Sequence, residues 1–303
     1  MNNQRRSFLR QSLVVLGTVA TGGAVARKIA SAAGAAAPAT GPLTPALTPD
    51  HQVVHTQCGK VVSLPVMHET SVRQGIAGRK FVMVFDLSKC DGCGKCTEAC
   101  SKMHFVPPDR QWIKVLRMRD AEHTAPYFFP QPCFHCDNPP CTKVCPVDAT
   151  FKRQDGIVLI DNERCIGCRF CMAACPYGAR SFNWGHPHDP PEAAAEGYSP
   201  EHGFPRRIGT VEKCDFCPDM AAKGELPACT SGCPMGAIYY GDENEDAVTN
   251  SQGDTQRLSK LLLDRSGYRH LEELGTKPRV YYLPPSNRQY PAPTPAEVTG
   301  EKA

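Results

Sequence analysis

Short apolar runs alternate with cysteine-rich segments through the middle of the chain. The runs at 81–85, 157–160 and 237–240 are rich in valine, isoleucine and aromatic residues, which is typical of buried β-strands. An Asp-Gly turn signal precedes the second run and predicts a hairpin from Thr150 to Ile160. Because each run adjoins a cysteine cluster, the sequence indicates a repeated unit of cluster plus strand.

The segments on either side of this region have weaker patterns. Residues 257–274 carry leucines at helical spacing and precede a further apolar run at 280–283, which predicts a C-terminal helix and strand. Residues 186–205 are rich in proline and glycine and predict a loop. The segment 33–79 begins with alanine, proline and threonine and predicts a flexible extension, so we expect order to begin near Lys80.

The N-terminus has the pattern of an export signal. Residues 4–10 read Gln-Arg-Arg-Ser-Phe-Leu-Arg and precede an apolar run that is rich in small residues. This order resembles a twin-arginine signal over residues 1–32 and predicts a periplasmic protein. An amphipathic helix or membrane anchor is the alternative, but the run is too short for a strong spanning segment. No later segment reaches spanning length, so the mature chain is expected to lack a transmembrane segment.

Composition and charge narrow the class of protein. The 303 residues are 41% hydrophobic and 21% charged, as in a soluble globular protein. The formal net charge is +3, but residues 1–32 supply five bases and no acid, leaving 29 basic against 31 acidic residues. Nucleic-acid recognition normally needs clustered positive charge, so no nucleic-acid partner is expected. Seventeen cysteines are unusual and indicate disulfides or metal sites.

Sixteen of the cysteines form four groups with related spacing. Groups one and three have the spacing Cys-x2-Cys-x2-Cys-x3-Cys, whereas the second step is x4 in group two and x11 in group four. Three thiolates on such a loop hold one iron-sulfur cubane, and in two-cluster ferredoxins the fourth cysteine ligates the other cluster. Proline follows the fourth cysteine in every group except group one, which has Ser101. The groups are Cys90, Cys93, Cys96 and Cys100; Cys133, Cys136, Cys141 and Cys145; Cys165, Cys168, Cys171 and Cys175; and Cys214, Cys217, Cys229 and Cys233.

Zinc sites and disulfides are the alternatives for these cysteines. A tetrahedral zinc site uses two Cys-x2-Cys pairs and has no use for a third cysteine at the next x2 step, so a zinc-stabilised binding module fits less well. A twin-arginine signal exports proteins that are already folded, which suits clusters assembled in the reducing cytoplasm better than disulfides. Analysis of metal and acid-labile sulfide separates these classes.

The sequence resembles the four-cluster iron-sulfur subunits of the dimethyl sulfoxide reductase B-subunit type. The resemblance covers residues 81–283 and is most specific at 133–141, which read Cys-Phe-His-Cys-Asp-Asn-Pro-Pro-Cys, and at the Cys-Pro endings. It implies an α+β fold of two ferredoxin-like dicluster domains, one inserted in the other. The implied boundaries are 80–130 and 206–241 for the outer domain with groups one and four, 131–185 for the inner domain with groups two and three, 186–205 for a loop, and 242–303 for a C-terminal helix and tail.

The resemblance also implies the cofactors and their ligands. No ligand of the family pattern is missing, so four [4Fe-4S] clusters are expected. Ser101, in place of a proline, weakens the match at Cys100. The implied ligand sets are Cys90, Cys93 and Cys96 with Cys233; Cys214, Cys217 and Cys229 with Cys100; Cys133, Cys136 and Cys141 with Cys175; and Cys165, Cys168 and Cys171 with Cys145.

Electron transfer is the function that these features indicate. The sequence has no nucleophile-and-base signature, no open metal site and no Gly-x-Gly-x-x-Gly fingerprint, so no catalytic site is expected. The resemblance implies a subunit that links a catalytic molybdopterin-type subunit to a quinone-reactive membrane subunit, at the outer face of the cytoplasmic membrane. The iron-sulfur subunit of alternative complex III or of a periplasmic hydrogenase is the alternative.

Several residues of note lie outside the ligand pattern. Cys58 is the cysteine outside the four groups and is expected to be a free thiol, although His51 and His55 lie nearby in sequence. His135 lies between two ligands and is expected to pack beside them rather than bind iron. Three aromatic residues are expected to pack in the core: Trp112, Phe182 and Trp184.

Replacing both Arg5 and Arg6 with lysine should leave the protein in the cytoplasm, because the arginine pair is the element that the twin-arginine route recognises. Cell fractionation followed by immunoblotting measures the distribution, and Arg10→Lys, outside the pair, serves as the control. Unchanged periplasmic recovery of the double variant would contradict the export prediction.

Overall fold

A computed structural model describes residues 72–121, 124–185, 189–192 and 197–286, together with strand backbone between 44 and 61. The predicted export signal, Cys58 and the tail after residue 286 lie outside the described residues. The chain divides into two compact units at residue 66. In the first unit, an antiparallel sheet in the order β1-β2-β3 lies within the segment predicted to be flexible. Its strands are β1 (Thr44–Leu47), β2 (Val53–Gln57) and β3 (Lys60–Val61).

The second unit carries all four cysteine groups on short helices, short strands and loops. Mixed helix and strand content fits the expected α+β class. The unit also contains two 3-10 turns, Pro108–Arg110 and Glu272–Leu274. The elements are β4 (Phe81–Asp86), α1 (Lys95–Met103), β5 (Lys114–Met118), β6 (Tyr127–Gln131), α2 (Pro140–Lys143), β7 (Thr150–Lys152), β8 (Val158–Ile160), α3 (Phe170–Ala173), β9 (Ser181–Phe182), β10 (Val211–Glu212), α4 (Pro218–Ala222), α5 (Ala228–Ser231), β11 (Ile238–Asp242), β12 (Ala247–Asn250), β13 (Thr255–Arg257), α6 (Leu258–Asp264) and β14 (Val280–Leu283).

A five-stranded sheet in the order β13-β12-β11-β4-β14 forms the largest regular element. The central strand β4 pairs antiparallel with β11 and parallel with β14. All six of its residues are buried, which confirms the strand predicted from its unbroken apolar run. Met83 faces the core that contains the cysteines, whereas Val82 and Val84 face a second core that Leu258 of α6 covers.

One antiparallel pair of strands lies between each cysteine group and the next. The predicted hairpin from Thr150 to Ile160 is confirmed, because β7 and β8 pair antiparallel between groups two and three. The antiparallel pair β5-β6 lies between groups one and two, and β9-β10 lies between groups three and four. The strand before group one therefore pairs with the strand after group four, while the β7-β8 hairpin joins the two middle groups.

Ordered contacts begin before Lys80. Val72 is buried in the main core, and the Arg73 guanidinium bonds to the Asp148 carboxylate at 3.0 Å and lies 4.3 Å from the centre of the Phe151 ring. Residues 72–79, which the sequence pattern assigns to the extension, therefore pack against the β7-β8 hairpin. Further hydrogen bonds hold the segment, including those from the Ile76 amide to Asp155 at 3.0 Å and from Arg79 to Asp242 at 3.2 Å.

The C-terminal helix is shorter than the predicted span of 257–274. Helix α6 ends at Asp264, and Ser266 then adopts a left-handed backbone with φ of 51°. The chain reverses here because the Tyr268 amide donates to the Tyr282 carbonyl at 2.9 Å. The leucine periodicity continues past the helix, but backbone pairing with β14 takes precedence. None of the helices in the described part of the chain has both the length and the apolar composition to cross a bilayer.

One buried arginine ties separate parts of the fold together. The Arg279 guanidinium donates to the Phe81 carbonyl at 2.8 Å, to both oxygens of Asp137 at 2.9 and 3.2 Å, and to Glu243 at 3.0 Å. Gly156 leaves room for this side chain, since a Cβ there would lie 2.6 Å from the Arg279 Nε atom. The bonds join the start of β4 to the group-two loop, in which Asp137 directly follows Cys136.

Candidate iron-sulfur cluster sites

Two cavities are each lined by three cysteines of one group and the fourth cysteine of another. Cys233 of group four lines the first cavity, which has about 370 Å³ of space free of protein atoms, together with three cysteines of group one. Cys175 of group three lines the second cavity, with about 340 Å³, together with three cysteines of group two. The group-one cysteines are Cys90, Cys93 and Cys96, and the group-two cysteines are Cys133, Cys136 and Cys141.

The group-four cysteines lie next to the fourth cysteine of group one. Burial raises the pKa of the Cys100 thiol well above its usual range, and the neighbouring Cys214 and Cys229 thiols raise it further. Burial and Asp215 raise the pKa of Cys217, and the same two thiols add to that rise. The structure thus brings this set of four sulfur atoms together.

The first three cysteines of group three range from exposed to buried. Cys168 is exposed, Cys165 is half-buried and Cys171 is buried. Burial raises the pKa of Cys171, and the nearby Cys165 and Cys141 thiols contribute to the rise. Cys145 is half-buried, and its sulfur accepts a hydrogen bond from the Ala149 amide at 3.2 Å.

Thiols of neighbouring sets lie close enough to influence one another's pKa. Cys96 of the first cavity acts on the pKa of Cys229 in the group-four set. Cys133 of the second cavity acts on the pKa of Cys214 in that same set. Cys141 of the second cavity acts on Cys171 of group three. These influences indicate that the group-one set neighbours the group-four set, the group-four set neighbours the group-two set, and the group-two set neighbours group three.

The donor atoms fit iron-sulfur clusters. The sixteen described cysteines are free thiols, and four of them line each cavity; sulfur ligands suit iron-sulfur clusters or zinc. Burial, with further rises from neighbouring thiols, raises the pKa of Cys136 to about 12, and burial raises that of Cys229 to about 12. Such thiols stay protonated without metal, whereas a coordinating cation removes their protons. The crowded thiols are therefore suited to metal binding and not to free thiolate chemistry.

Left-handed residues shape the two loops with regular x2 spacing. Gly92 and Gly167 precede the second cysteine of groups one and three, with φ of 77° and 72°. A Cβ at Gly167 would lie 2.2 Å from the Gly209 carbonyl oxygen, so this loop packs directly against backbone. One position after the second cysteine, Gly94 and Arg169 are also left-handed, with φ of 72° and 61°. A side chain is therefore tolerated at that position.

An alanine behind the fourth cysteine is a feature that the sequence reasoning missed. The Ala149 amide donates to Cys145 Sγ at 3.2 Å, and the Ala237 amide donates to Cys233 Sγ at 3.3 Å. The Ala179 amide has the same relation to Cys175 and lowers the pKa of that thiol against the larger effect of burial. The signal for these bonds is the repeat Cys-Pro-x-x-Ala, in which proline turns the chain back towards the sulfur.

Group one departs from this repeat, because Ser101 stands where the other groups have proline. Helix α1 continues through Cys100 to Met103, because Ser101 keeps the backbone amide that a proline would lack. The extra turn brings His104 against Cys217, with Nε2 and Sγ 3.2 Å apart. The His104 Nδ1 atom lies 3.3 Å from the Asp215 carboxylate, and all three side chains are buried. No sequence signal marked His104, because this contact joins distant parts of the chain.

His135 packs beside the ligands, as the sequence reasoning expected. The Val158 amide donates to His135 Nδ1 at 3.0 Å, and Nε2 lies 3.1 Å from the Cys214 carbonyl oxygen, to which it donates. Burial lowers the pKa of this imidazole well below its usual range, so the ring is neutral. Both nitrogens are therefore occupied by backbone groups rather than available to a metal.

The aromatic residues do not all lie in the core. Trp112 is buried as expected, and Phe182 is half-buried. The core prediction is wrong for Trp184, which is 70% exposed and lies with its ring centre 4.7 Å from the Arg169 guanidinium. A cation stacked on the ring allows it to remain at the surface. Trp184 therefore belongs to the surface near the group-three loop.

Comparison with known families agrees with the cysteine geometry. Three family models, each described as a 4Fe-4S dicluster domain, match residues 89–149, 124–188 and 157–234. Together they cover all four cysteine groups. The matches favour iron-sulfur clusters over the zinc alternative.

Several curated proteins are similar over most of this region. The B subunit of selenate reductase from Mesobacillus selenatarsenatis is 41% identical over 217 residues, which are 67% of this chain and 72% of the relative. This chain belongs to the iron-sulfur B-subunit family of the dimethyl sulfoxide reductase type. Another relative is the menaquinone reductase iron-sulfur cluster-binding subunit of Nitratidesulfovibrio vulgaris, 38% identical over 67% of this chain and 88% of the relative. The B subunit of tetrathionate reductase from Salmonella typhimurium is 35% identical over 72% of this chain and 76% of the relative.

Membership in this family defines the role of the chain within an oxidoreductase. Iron-sulfur subunits of this type transfer electrons, and catalysis resides in a separate subunit. The prediction that this chain lacks its own substrate site is consistent with that division of labour. Its chemistry is therefore that of bound 4Fe-4S clusters.

Gly167→Ala should deplete this iron-sulfur subunit of the iron held by the group-three loop, because the new Cβ collides with the Gly209 carbonyl. Gly94→Ala is the matched control, since it has the same φ of 72° but no atom within 4 Å of its Cβ. Both variants carry the left-handed penalty of about 1–2 kcal/mol, so only the collision distinguishes them. Iron and acid-labile sulfide per chain measure the effect, and equal losses in both variants would contradict the prediction.

Proposed function

We propose that this chain is the electron-transfer subunit of a membrane-associated respiratory oxidoreductase and holds four [4Fe-4S] clusters through reciprocal cysteine sets. One observation carries the proposal: each of two cavities has three cysteines from one group and the fourth from another. This three-plus-one arrangement is the ligation pattern of two-cluster ferredoxins. The proposed sets are Cys90, Cys93, Cys96 and Cys233; Cys214, Cys217, Cys229 and Cys100; Cys133, Cys136, Cys141 and Cys175; and Cys165, Cys168, Cys171 and Cys145.

The nesting of two ferredoxin-like domains is part of this proposal. The strand before group one pairs with the strand after group four, which supports an outer domain built from the two ends of the region. The β7-β8 hairpin between groups two and three supports an inner domain inserted in it. Burial raises the pKa of Cys214, and the Cys133 thiol contributes to that rise, which supports a meeting of the two domains near this pair.

The order of the cysteine sets supports a linear path. When bound, the clusters supply one-electron transfer. The group-one and group-three sets lie at the two ends of this row of neighbouring sets. Each of them contains an exposed cysteine, Cys93 and Cys168 respectively. The two intermediate sets have no exposed cysteine. We therefore assign the ends as the places where electrons enter and leave.

The relatives support a partner at each end. Two of them are named as subunits of selenate and tetrathionate reductases, and a third is named as a subunit of a menaquinone reductase. We propose a catalytic molybdopterin-type subunit at one end and a quinone-reactive membrane subunit at the other. Export by the twin-arginine route would place this assembly on the periplasmic face of the cytoplasmic membrane.

Purification of the complex from its native membrane through a tag on this chain tests the partners. We expect molybdenum to co-purify with iron in a fixed ratio, together with an integral membrane subunit that reacts with quinone analogues. Metal analysis and quinol oxidation measure both partners. A complex with haem but no molybdenum would instead favour alternative complex III, and nickel would favour a hydrogenase.

Cys145→Ser should perturb the cluster signal assigned to group three and leave that of group two intact, because Cys175 completes the group-two set. Cys136→Ser, in group two, is the matched comparison. Electron paramagnetic resonance of the reduced full-length variants distinguishes the signals. If Cys145→Ser and Cys136→Ser altered the same signal, each group would hold its own cluster and the reciprocal sets would be wrong.

A further inference from the structure

Arg180 is a buried cation between the two inner cysteine sets. It follows Ala179, the alanine that ends the Cys-Pro-x-x-Ala repeat of group three, and only 6% of its surface is exposed. The side chain lines the cavity that contains Cys133, Cys136, Cys141 and Cys175. It therefore lies at a proposed cluster site without being a ligand.

The contacts of Arg180 point to sulfur rather than to carboxylate. Its Nη1 atom donates to Thr150 Oγ1 at 3.2 Å, while the buried Nη2 atom has no oxygen or nitrogen partner among the protein atoms. Burial lowers the pKa of this guanidinium, but the Cys141, Cys171 and Cys133 thiols outweigh burial, so its pKa is raised overall. No ion pair between described residues involves Arg180.

These thiols belong to two different sets. Cys141 lines the group-two cavity, whereas Cys171 belongs to the group-three loop. Burial raises the pKa of the Cys171 thiol, and Arg180 acts against that rise. The guanidinium thus lines the group-two cavity and lies close enough to Cys171 of group three to influence its pKa.

Equivalent positions elsewhere in the chain lack a cation. The residue after the repeat alanine is Thr150 in group two, Arg180 in group three and Ile238 in group four. Thr150 is the hydrogen-bond partner of Arg180, and Ile238 is buried in the main core. Two other buried or half-buried cations near ligands are bonded to oxygen: Lys213 to the Cys214 carbonyl at 2.8 Å, and Lys152 to the Asp137 carboxylate at 3.0 Å.

A buried cation without a carboxylate partner is unfavourable unless another negative group compensates it. Four thiolates give an iron-sulfur cluster a net negative charge, which increases by one on reduction. A nearby fixed cation therefore stabilises the reduced form more than the oxidised form and raises the reduction potential. Because the site is buried, salt screens this effect only weakly.

We propose that Arg180, which is not itself a ligand, uses its positive charge to raise the reduction potential of both clusters of the inner domain. The inference rests on the proposed four-cluster function. It assigns to one side chain a role shared by the group-two and group-three clusters. The clusters of the outer domain lie outside its contacts.

Redox titration of the full-length, cluster-loaded protein, followed by electron paramagnetic resonance, tests the role of Arg180. In Arg180→Gln, the two inner signals should shift to lower potential and the two outer signals should stay unchanged, at low and at high salt alike. Arg180→Lys should retain most of the wild-type potentials, because it keeps the charge. Arg153→Gln is the matched control, since Arg153 is a buried arginine in the β7-β8 hairpin that is paired with Asp155 at 2.7 Å.

Unchanged inner potentials in Arg180→Gln, equal shifts of all four signals, or equal shifts in the glutamine and lysine variants would each overturn the proposal. If Arg180→Gln does not load clusters, Thr150→Val provides the second test, because it removes the guanidinium's anchor and keeps the charge. We expect a smaller shift confined to the same two signals, and no shift would overturn the proposal. Iron and sulfide content of the wild-type chain, measured first, separates a failure of the four-cluster function from a failure of this inference.

Discussion

The packing of many thiols close together at largely buried sites is the constraint on which the rest of this structure depends. Burial raises the pKa of Cys96 to about 11, and burial and neighbouring thiols raise that of Cys136 to about 12. Adjacent thiolates at such sites would be unstable without a bound cation, and metal binding supplies it. Seven of the ligand cysteines are also buried members of the main apolar core. Ligation and core formation therefore occur at the same atoms.

This constraint explains how little regular structure surrounds the sites. The helices α2, α3 and α5 have four residues each, and β9 and β10 have two, which is far below the length that is stable alone. In the proposed arrangement, a cluster that bound cysteines from two distant groups would close long loops and replace the missing helix and strand contacts. The sheet around β4 is the exception, because its continuous apolar run is buried on both faces and pairs with a strand on each side.

Local patterns predicted the parts of the structure that local physics controls. The run at 81–85 predicted β4, and the cysteine spacing identified every proposed ligand. The early end of α6, by contrast, follows from pairing between Tyr268 and Tyr282, and the exposure of Trp184 follows from stacking on Arg169. These outcomes depend on residues that meet only in three dimensions. Periodicity and propensity, which describe neighbours in sequence, do not contain that information.

The same distinction applies to the surroundings of the clusters. All four proposed sites have cysteine ligands alone, yet the buried groups beside them differ. At the group-four set, His104 lies 3.2 Å from Cys217 because Ser101 lets α1 continue for one more turn. At the inner sets, Arg180 occupies the place that Ile238 takes in group four. Since hydrogen bonds and charges around the sulfur atoms set a cluster's potential, identical ligands at the four sites do not make them equivalent. At the four proposed sites, the residues next to the ligands, rather than the ligands themselves, would therefore account for differences in reduction potential.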